Sequence, residues 1–397
     1  MPRFTIRNKL ITNDPVAGAT VEIDFPATGP TLISGTTNRW GHVTLNTSSL
    51  SDGRHDVRVT PAHTSADPVG PATASNPVPP SRVFRTYTFS ITLLRGAVTA
   101  VTAPAGNTYG TARLLAGGNV QADVQPIWMA SPNHRSRGTT NVSLVIVHHT
   151  GGAVITSAIN TFLSARTSAH YVIDKDGQIV KMVQDGQRAN HAGTAHWAGS
   201  TNINSMSIGI EIVHRTAGGA YPAAQYTALL GLLGRIRASY PGIPTRNIIG
   251  HSDVGTNAAG RLGRKSTDPG LHFDWTRLES AGLGMVRAYG PYPPSLYGGL
   301  FQQVANGAFR RGDNDARNRF GGATRTTVTG NPVRQIQQDL FDIGYSVGTP
   351  DGDFGERTHY AVEMFQEHFF AGGNGHKAPD GRVDYQTASL IQSVMPP

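Results

Sequence analysis

Two short apolar runs in the middle of the chain end in histidine, and no other feature restricts the fold as much. Leu144-Val145-Ile146-Val147 leads into His148-His149, and Asn247-Ile248-Ile249-Gly250 leads into His251. Uninterrupted runs of this kind suit strands buried on both faces, as in parallel sheets covered by helices. A long amphipathic stretch precedes the second run, with Leu229, Leu230, Leu233 and Ile236 as core candidates. Strands and helices therefore alternate from about Pro126 to Ala288, which predicts an α/β domain over 126–288. Ligands gather beyond the carboxyl ends of the strands in such sheets. A histidine at each of two strand ends is a candidate site residue, with a hydrogen-bonded strand cap as the alternative for either one alone.

Composition limits what those histidines can do. With 397 residues the chain is long enough for two or three domains, and its 47 Gly and 25 Pro predict many turns and some linkers. It has no cysteine, so disulfides and thiolate metal sites are excluded and any metal must use His and carboxylates. No apolar run approaches the roughly 18 residues of a membrane helix. The net charge of +8 is uneven: from Val333 onward the balance is −5, which leaves +13 for the rest. A basic body favours anionic partners, but no Lys/Arg cluster interleaved with aromatics occurs, so no nucleic-acid partner is expected.

The flanks read differently. Residues 1–97 hold alternating segments, Ala19 to Ile23, His42 to Leu45 and Arg85 to Leu93, separated by turns such as Ser51-Asp52-Gly53. They predict an all-β sandwich. Pro15-Val16-Ala17-Gly18-Ala19, with Gly41, resembles the carboxypeptidase-regulatory and immunoglobulin-like modules. The stretch from Ser65 to Ser81 reads as a long loop, and 98–125 and 289–329 read as linkers. Residues 330–397 predict a compact helical module with Val333, Ile336, Leu340 and Ile343 on one helix face and Ala361, Val362 and Phe365 on another. It contains an internal echo: Asp351-Gly352-Asp353-Phe354 with Thr358 recurs as Asp380-Gly381-Arg382-Val383 with Thr387.

Two further segments carry chemistry. Pro269 and Gly270 follow Asp268 and form a turn that fixes its carboxylate. Two strand-end imidazoles and one turn carboxylate match the three-ligand form of catalytic zinc, although their spacing alone is not specific. Ser207-Ile208-Gly209-Ile210-Glu211-Ile212 alternates strictly, so Ser207, Gly209 and Glu211 share the face opposite the isoleucines. A Glu in so apolar a strand is costly to bury unless it is paired or working. A partnership with Arg215 is the structural alternative to a general base.

In order along the chain, these segments resemble the zinc-dependent N-acetylmuramoyl-L-alanine amidase family, of the AmpD, T7 lysozyme and peptidoglycan recognition protein type. The likeness runs from about Leu144 to Trp275. It takes in Ser168-Ala169-His170-Tyr171, Asp174-Lys175-Asp176-Gly177 and Asn190-His191-Ala192-Gly193 as well as the segments above. The resemblance implies Zn2+ held by His148, His251 and Asp268, with Glu211 as general base, as in the AmpD type. T7 lysozyme uses a Tyr where this chain has Ala169. His149 occupies a variable position and is read as secondary. His191 is expected to contact substrate in the cleft. Relatives place an oxyanion-stabilising Lys two residues before the last ligand; here that position is Ser266, with Lys265 one residue further back. Lys265 is the expected oxyanion group, with Ser266 as the alternative donor and otherwise a substrate contact.

The C-terminal module resembles the common three-helix peptidoglycan-binding domain through Val333 to Gln337, Leu340, Gly344-Tyr345, Asp351 to Gly355 and Thr358. The implied substrate is bacterial peptidoglycan, cut between N-acetylmuramic acid and L-alanine. A binding-only recognition protein on the same fold is the alternative. A serine hydrolase is disfavoured, since Gly250-His251-Ser252-Asp253-Val254 lacks the closing Gly of a nucleophile elbow. An appended wall-binding module is expected to raise local concentration and to leave the chemistry alone. The first residues contain no apolar signal region. Synthesis in the cytoplasm, then non-classical export or release by lysis, is the expected route. A phage particle, or a secretion or contractile injection apparatus, is the partner class left open for the N-terminal domain.

Overall fold

The computed structural model describes residues 1–9, 15–24, 33–62, 82–84, 86–103, 110–124, 126–215, 217–254, 268–287, 307–317, 319–320, 323–324, 330–370 and 378–395. The chain opens with β1 (Arg3–Asn8), β2 (Thr20–Ile23), β3 (Ile33–Thr36), β4 (His42–Thr44) and β5 (Gly53–Thr60). β6 (Arg82–Phe84), β7 (Tyr87–Leu94), β8 (Ala97–Thr102), β9 (Gly110–Leu115) and β10 (Asn119–Val124) follow. They build a five-stranded sheet, β3-β2-β5-β7-β8, and a four-stranded sheet, β4-β1-β10-β9. Period-2 alternation sends Val57, Val59, Phe89 and Ile91 of one sheet into the same buried cluster as Phe4, Ile6, Val120 and Ala122 of the other.

Residues 98–125 thus depart from the expected linker. β8, β9 and β10 lie there, and β10 pairs in parallel with β1. Small residues hide the alternation, yet Val120 and Ala122 are fully buried. The loop expected between Ser65 and Ser81 lies outside the described residues.

The middle domain comprises β11 (Pro126–Met129), β12 (His134–Ser136), β13 (Leu144–His149), α1 (Ile155–Ser164), β14 (Tyr171–Ile173), β15 (Ile179–Lys181) and β16 (Gln187–Ala189). α2 (Ile203–Met206), β17 (Ser207–Ile212), α3 (Ala223–Ser239), β18 (Ile248–Gly250) and α4 (Thr276–Ser280) complete it. The α/β expectation holds: a seven-stranded mixed sheet runs β18-β13-β17-β14-β15-β11-β6, with β18, β13, β17 and β14 parallel. Its outermost strand, β6, comes from the N-terminal region and pairs antiparallel with β11. Val145 and Val147 share a cluster with Ile208, Ile210 and Ile212 beneath Leu229, Leu232, Leu233 and Ile236 of α3. Leu232 fills the stripe, while Leu230 is only partly buried.

Beyond it lie β19 (Ala308–Phe309), β20 (Arg319–Phe320), β21 (Ala323–Thr324), α5 (Pro332–Ile343), α6 (Glu356–Phe370), β22 (Val383–Asp384) and α7 (Tyr385–Ser393). Residues 289–329 had been expected to act as a linker, but their described part is tied to the helices. β19 pairs with β22, and the Asp315 carboxylate accepts from Val333 N at 3.1 Å and Arg334 N at 2.9 Å. It thereby satisfies amides that the first turn of α5 leaves open. The internal echo has a physical cause. Gln337 Oε1 accepts from the amides of Asp351 and Gly352 while its Nε2 donates to Asp351 Oδ1, Asp353 O and Thr358 Oγ1. Gln366 holds Asp380, Gly381, Arg382 and Thr387 by the same five bonds.

The module does not hang free. One buried cluster runs from Leu144, Ile146 and Ile249 of the sheet, through Trp197, to Ile336, Leu340, Tyr345 and Phe365. The Trp197 indole lies so close to Gly344 that a Cβ there would sit 2.6 Å from the ring, and Gly344 has φ +133°. Ala198 N donates to Gly344 O at 2.8 Å. α3 therefore covers one face of the sheet, and the C-terminal helices share the core on the other. No helix among the described residues is long and apolar enough to cross a membrane.

Candidate metal centre

Strand register assembles the site. β13 and β17 pair with His148 opposite Glu211, and β13 and β18 pair with Val147 opposite Gly250. His251, His148 and Glu211 thus stand side by side at the carboxyl ends of three adjacent parallel strands. Asp268 reaches the same point from its turn. One donor atom from each of His148, His251 and Asp268 lies within 4.8 Å of the others. Asp268 Oδ2 faces Nδ1 of His148 at 3.3 Å and Nδ1 of His251 at 2.8 Å, while Oδ1 accepts from the backbone N–H of His149 at 2.6 Å. His149 thus anchors the carboxylate through its main chain, with its ring Nδ1 at 3.3 Å. Tyr221, stacked on His214, donates to Pro269 O at 2.7 Å and holds the Asp268 turn from below.

A hydrogen-bond chain sets the tautomers. Ser207 Oγ donates to Ile203 O at 2.6 Å, so it accepts from Nε2–H of His191 at 3.0 Å. His191 Nδ1 then accepts from Nε2–H of His148, again at 3.0 Å. This leaves Nδ1 of His148 as the lone-pair nitrogen on the Asp268 side. His251 reaches the same state by donating from Nε2 to Ala192 O at 3.1 Å. Orienting partners of this kind fix ring direction and raise ligand basicity. His191 is buried behind His148, flat against Gly209, where a Cβ would lie 2.4 Å from its ring. That position differs from the open cleft expected for it. Asn204 Oδ1, which sequence reasoning missed, accepts from the amides of His191 and Ala192 and fixes that segment. Lys265 and Ser266 lie outside the described residues.

The electrostatics suit a cation. Burial, then the charge of Asp268, pushes the Glu211 carboxyl well above its ordinary range. Burial alone would also raise Asp268, but positive charge on His148 and protons that His148, His149 and His251 present to it outweigh burial and hold that carboxyl well below the usual range; a cation in place of those protons acts in the same direction. Burial and neighbouring histidines depress His191 well below the ordinary imidazole value, so it is neutral at pH 7. Glu211 Oε2 is buried and has no hydrogen-bond partner among the described residues. No ion pair with Arg215 occurs there, which removes the structural alternative. A dication beside two buried carboxylates would relieve their mutual repulsion and occupy the lone pairs of both imidazoles. The donor set, two imidazoles and one carboxylate, fits a catalytic zinc site with an open position.

Residues 138–271 match the family described as N-acetylmuramoyl-L-alanine amidase, and residues 329–391 match the family described as putative peptidoglycan binding domain. The 1,6-anhydro-N-acetylmuramyl-L-alanine amidase AmpD of Salmonella typhimurium strain SL1344 is 39% identical over 115 residues, 29% of this chain and 57% of that protein. AmpD of Escherichia coli K12 is 39% identical over 113 residues, 28% of this chain and 57% of that protein. The N-acetylmuramoyl-L-alanine amidase AmiD of Escherichia coli K12 is 30% identical over 158 residues, 36% of this chain and 54% of that protein. The chain thus spans little more than half the length of these curated relatives. A solved structure of AmiD from E. coli aligns with a TM-score of 0.45 at 22% identity, over 66% of this chain and 89% of that chain. The chain carries a domain of the N-acetylmuramoyl-L-alanine amidase family at residues 138–271, followed by one of the putative peptidoglycan binding family at residues 329–391.

Proposed function

We propose that this chain hydrolyses the amide between the lactyl group of N-acetylmuramic acid and L-alanine in bacterial peptidoglycan, with Zn2+ held by His148, His251 and Asp268. One observation carries the reading: Glu211, with a buried and unpartnered Oε2, stands beside a His-His-Asp cluster at the ends of parallel strands. Zinc held by these three residues would supply Lewis acidity toward the scissile carbonyl and toward water. Glu211 would take a proton from the attacking water at a carboxylate oxygen as the C–O bond forms, and would return it to the amine as the C–N bond then breaks. Lys265 is our candidate for the oxyanion and Ser266 for substrate contact, on their places just before Asp268. His191 orients His148.

The named amidase relatives support the bond that is cut, and the match to the putative peptidoglycan binding family supports a polymeric wall substrate. A binding-only reading leaves the enclosed Glu211 oxygen without a role. We read the two N-terminal sheets as a β-sandwich that extends past residue 97 to β10, followed by a catalytic domain over 126–288 and a wall-binding module over 330–397. The metal assignment is tested by the zinc content of purified His251→Ala. The variant should lose most of the metal that the parent carries, and full retention would exclude His251 as a ligand.

A further inference from the structure

We propose that Asp253 is a positioning residue for the metal centre, and that the C-terminal module completes that centre by supplying two of the three donors that hold Asp253. The inference rests on the reading of His148, His251 and Asp268 as the zinc site. His251 is not carried by a long element. It opens a four-residue 3-10 turn, His251–Val254, directly after the three-residue strand β18. The turn is fastened to the other half of the site by Ser252 N, which donates to Asp268 O at 2.7 Å. Val254 O accepts from His196 N at 3.1 Å and the His251 ring donates to Ala192 O, and within the turn a further anchor is the Asp253 carboxylate, which is 1% exposed.

Three donors meet that carboxylate. Gly250 N reaches Oδ2 at 2.7 Å from within the catalytic domain. Tyr345 Oη donates to Oδ1 at 2.6 Å, and His368 Nδ1 donates to Oδ2 at 2.9 Å, both from the C-terminal module. A buried carboxylate left short of donors costs free energy, so the turn keeps this conformation only where its donors are in place. The donors are themselves held. The His368 ring stacks on Trp275 with centroids 4.0 Å apart and 20° between planes, and Tyr345 packs edge-on against Trp197. Tyr345 lies 92 residues and His368 115 residues from Asp253 in sequence. The clasp thus ties the direction of His251 to the docking of the module.

The test is Zn2+ affinity of the full-length chain, measured by chelator competition alongside thermal unfolding. Loss of a partner behind a metal ligand typically weakens metal binding about 10–100-fold. Tyr345→Phe removes only a hydroxyl and should weaken zinc about tenfold, as should His368→Leu. His368→Asn, which keeps an N–H donor near the Nδ1 position, should stay within about threefold of the parent. Gln366→Ala loosens the second Asp-Gly corner and removes no donor to Asp253. It should lower the unfolding midpoint and leave zinc affinity at the parent value. Parent-like affinity in both Tyr345→Phe and His368→Leu would overturn the proposal while leaving the zinc site standing. Equal weakening in Gln366→Ala would overturn it as well, because module stability and not the clasp would then set affinity. A parent chain that takes up no zinc would overturn the site assignment itself. Should His368→Leu fail to fold, Tyr345→Phe decides.

Discussion

At the residue scale, the proposed chemistry turns on Glu211 and the chain of groups behind His148. Glu211 is not among the proposed ligands, and Gln is nearly isosteric with it. Glu211→Gln should therefore keep fold and zinc while losing about 10²–10⁴-fold in turnover on a soluble muropeptide. A variant that binds zinc and turns over near the parent rate would remove Glu211 from the mechanism. The residue was legible in sequence because strict alternation in Ser207–Ile212 isolates one carboxylate on a face otherwise made of Ser and Gly. The relay through His191 and Ser207 was not. His191 sits in a segment without periodicity, and its contact with His148 depends on the folding of intervening strands.

At the element scale, β13, β17 and β18 were readable because apolar runs with fixed period are enforced by burial on both faces. β8, β9 and β10 were missed because Gly, Ala and Thr disguise the same alternation. The N-terminal sheets also contain a pH-sensitive contact. His55 of β5 points Nδ1 at Asp24 Oδ2, 2.6 Å away, and Nε2 at Ser51 O, 2.8 Å away. Two acceptors favour the doubly protonated ring. Burial opposes this, but the hydrogen bonds to Asp24 and Ser51 and the charges of Asp24 and Asp56 prevail and raise the His55 pKa. Because the folded value lies above the unfolded value of about 6.5, the contribution is full below about pH 6.5 and is lost as pH rises through the folded value. The parent should thus lose more thermal stability than His55→Gln as pH is raised from 6 to 8. Parallel unfolding midpoints across that range would contradict the contact's role.

At the scale of the whole molecule, the sequence reads as modules joined by linkers, whereas the structure joins the catalytic sheet and the C-terminal helices in one core. No local pattern announces this, since Trp197, Asp253, Tyr345 and His368 meet only in the folded chain. Removing residues 330–397 would expose Trp197, now fully buried, at a cost of about 1.5–3 kcal/mol for that side chain. It would also take away the Tyr345 and His368 donors to Asp253. The truncated chain should melt at a lower temperature than the parent and lose cleavage of soluble muropeptide along with that of insoluble wall. Parent-like cleavage of the soluble substrate would show the module to be a tether only. The central claim, that this is an amidase acting at the lactyl-alanine bond, is tested most directly by mass spectrometry of purified peptidoglycan digested with the zinc-loaded chain. Released stem peptides should carry free L-alanine amino termini, and the glycan strands should keep intact lactyl groups. Cleavage within the glycan or within the stem peptide, or no release at all, would contradict it.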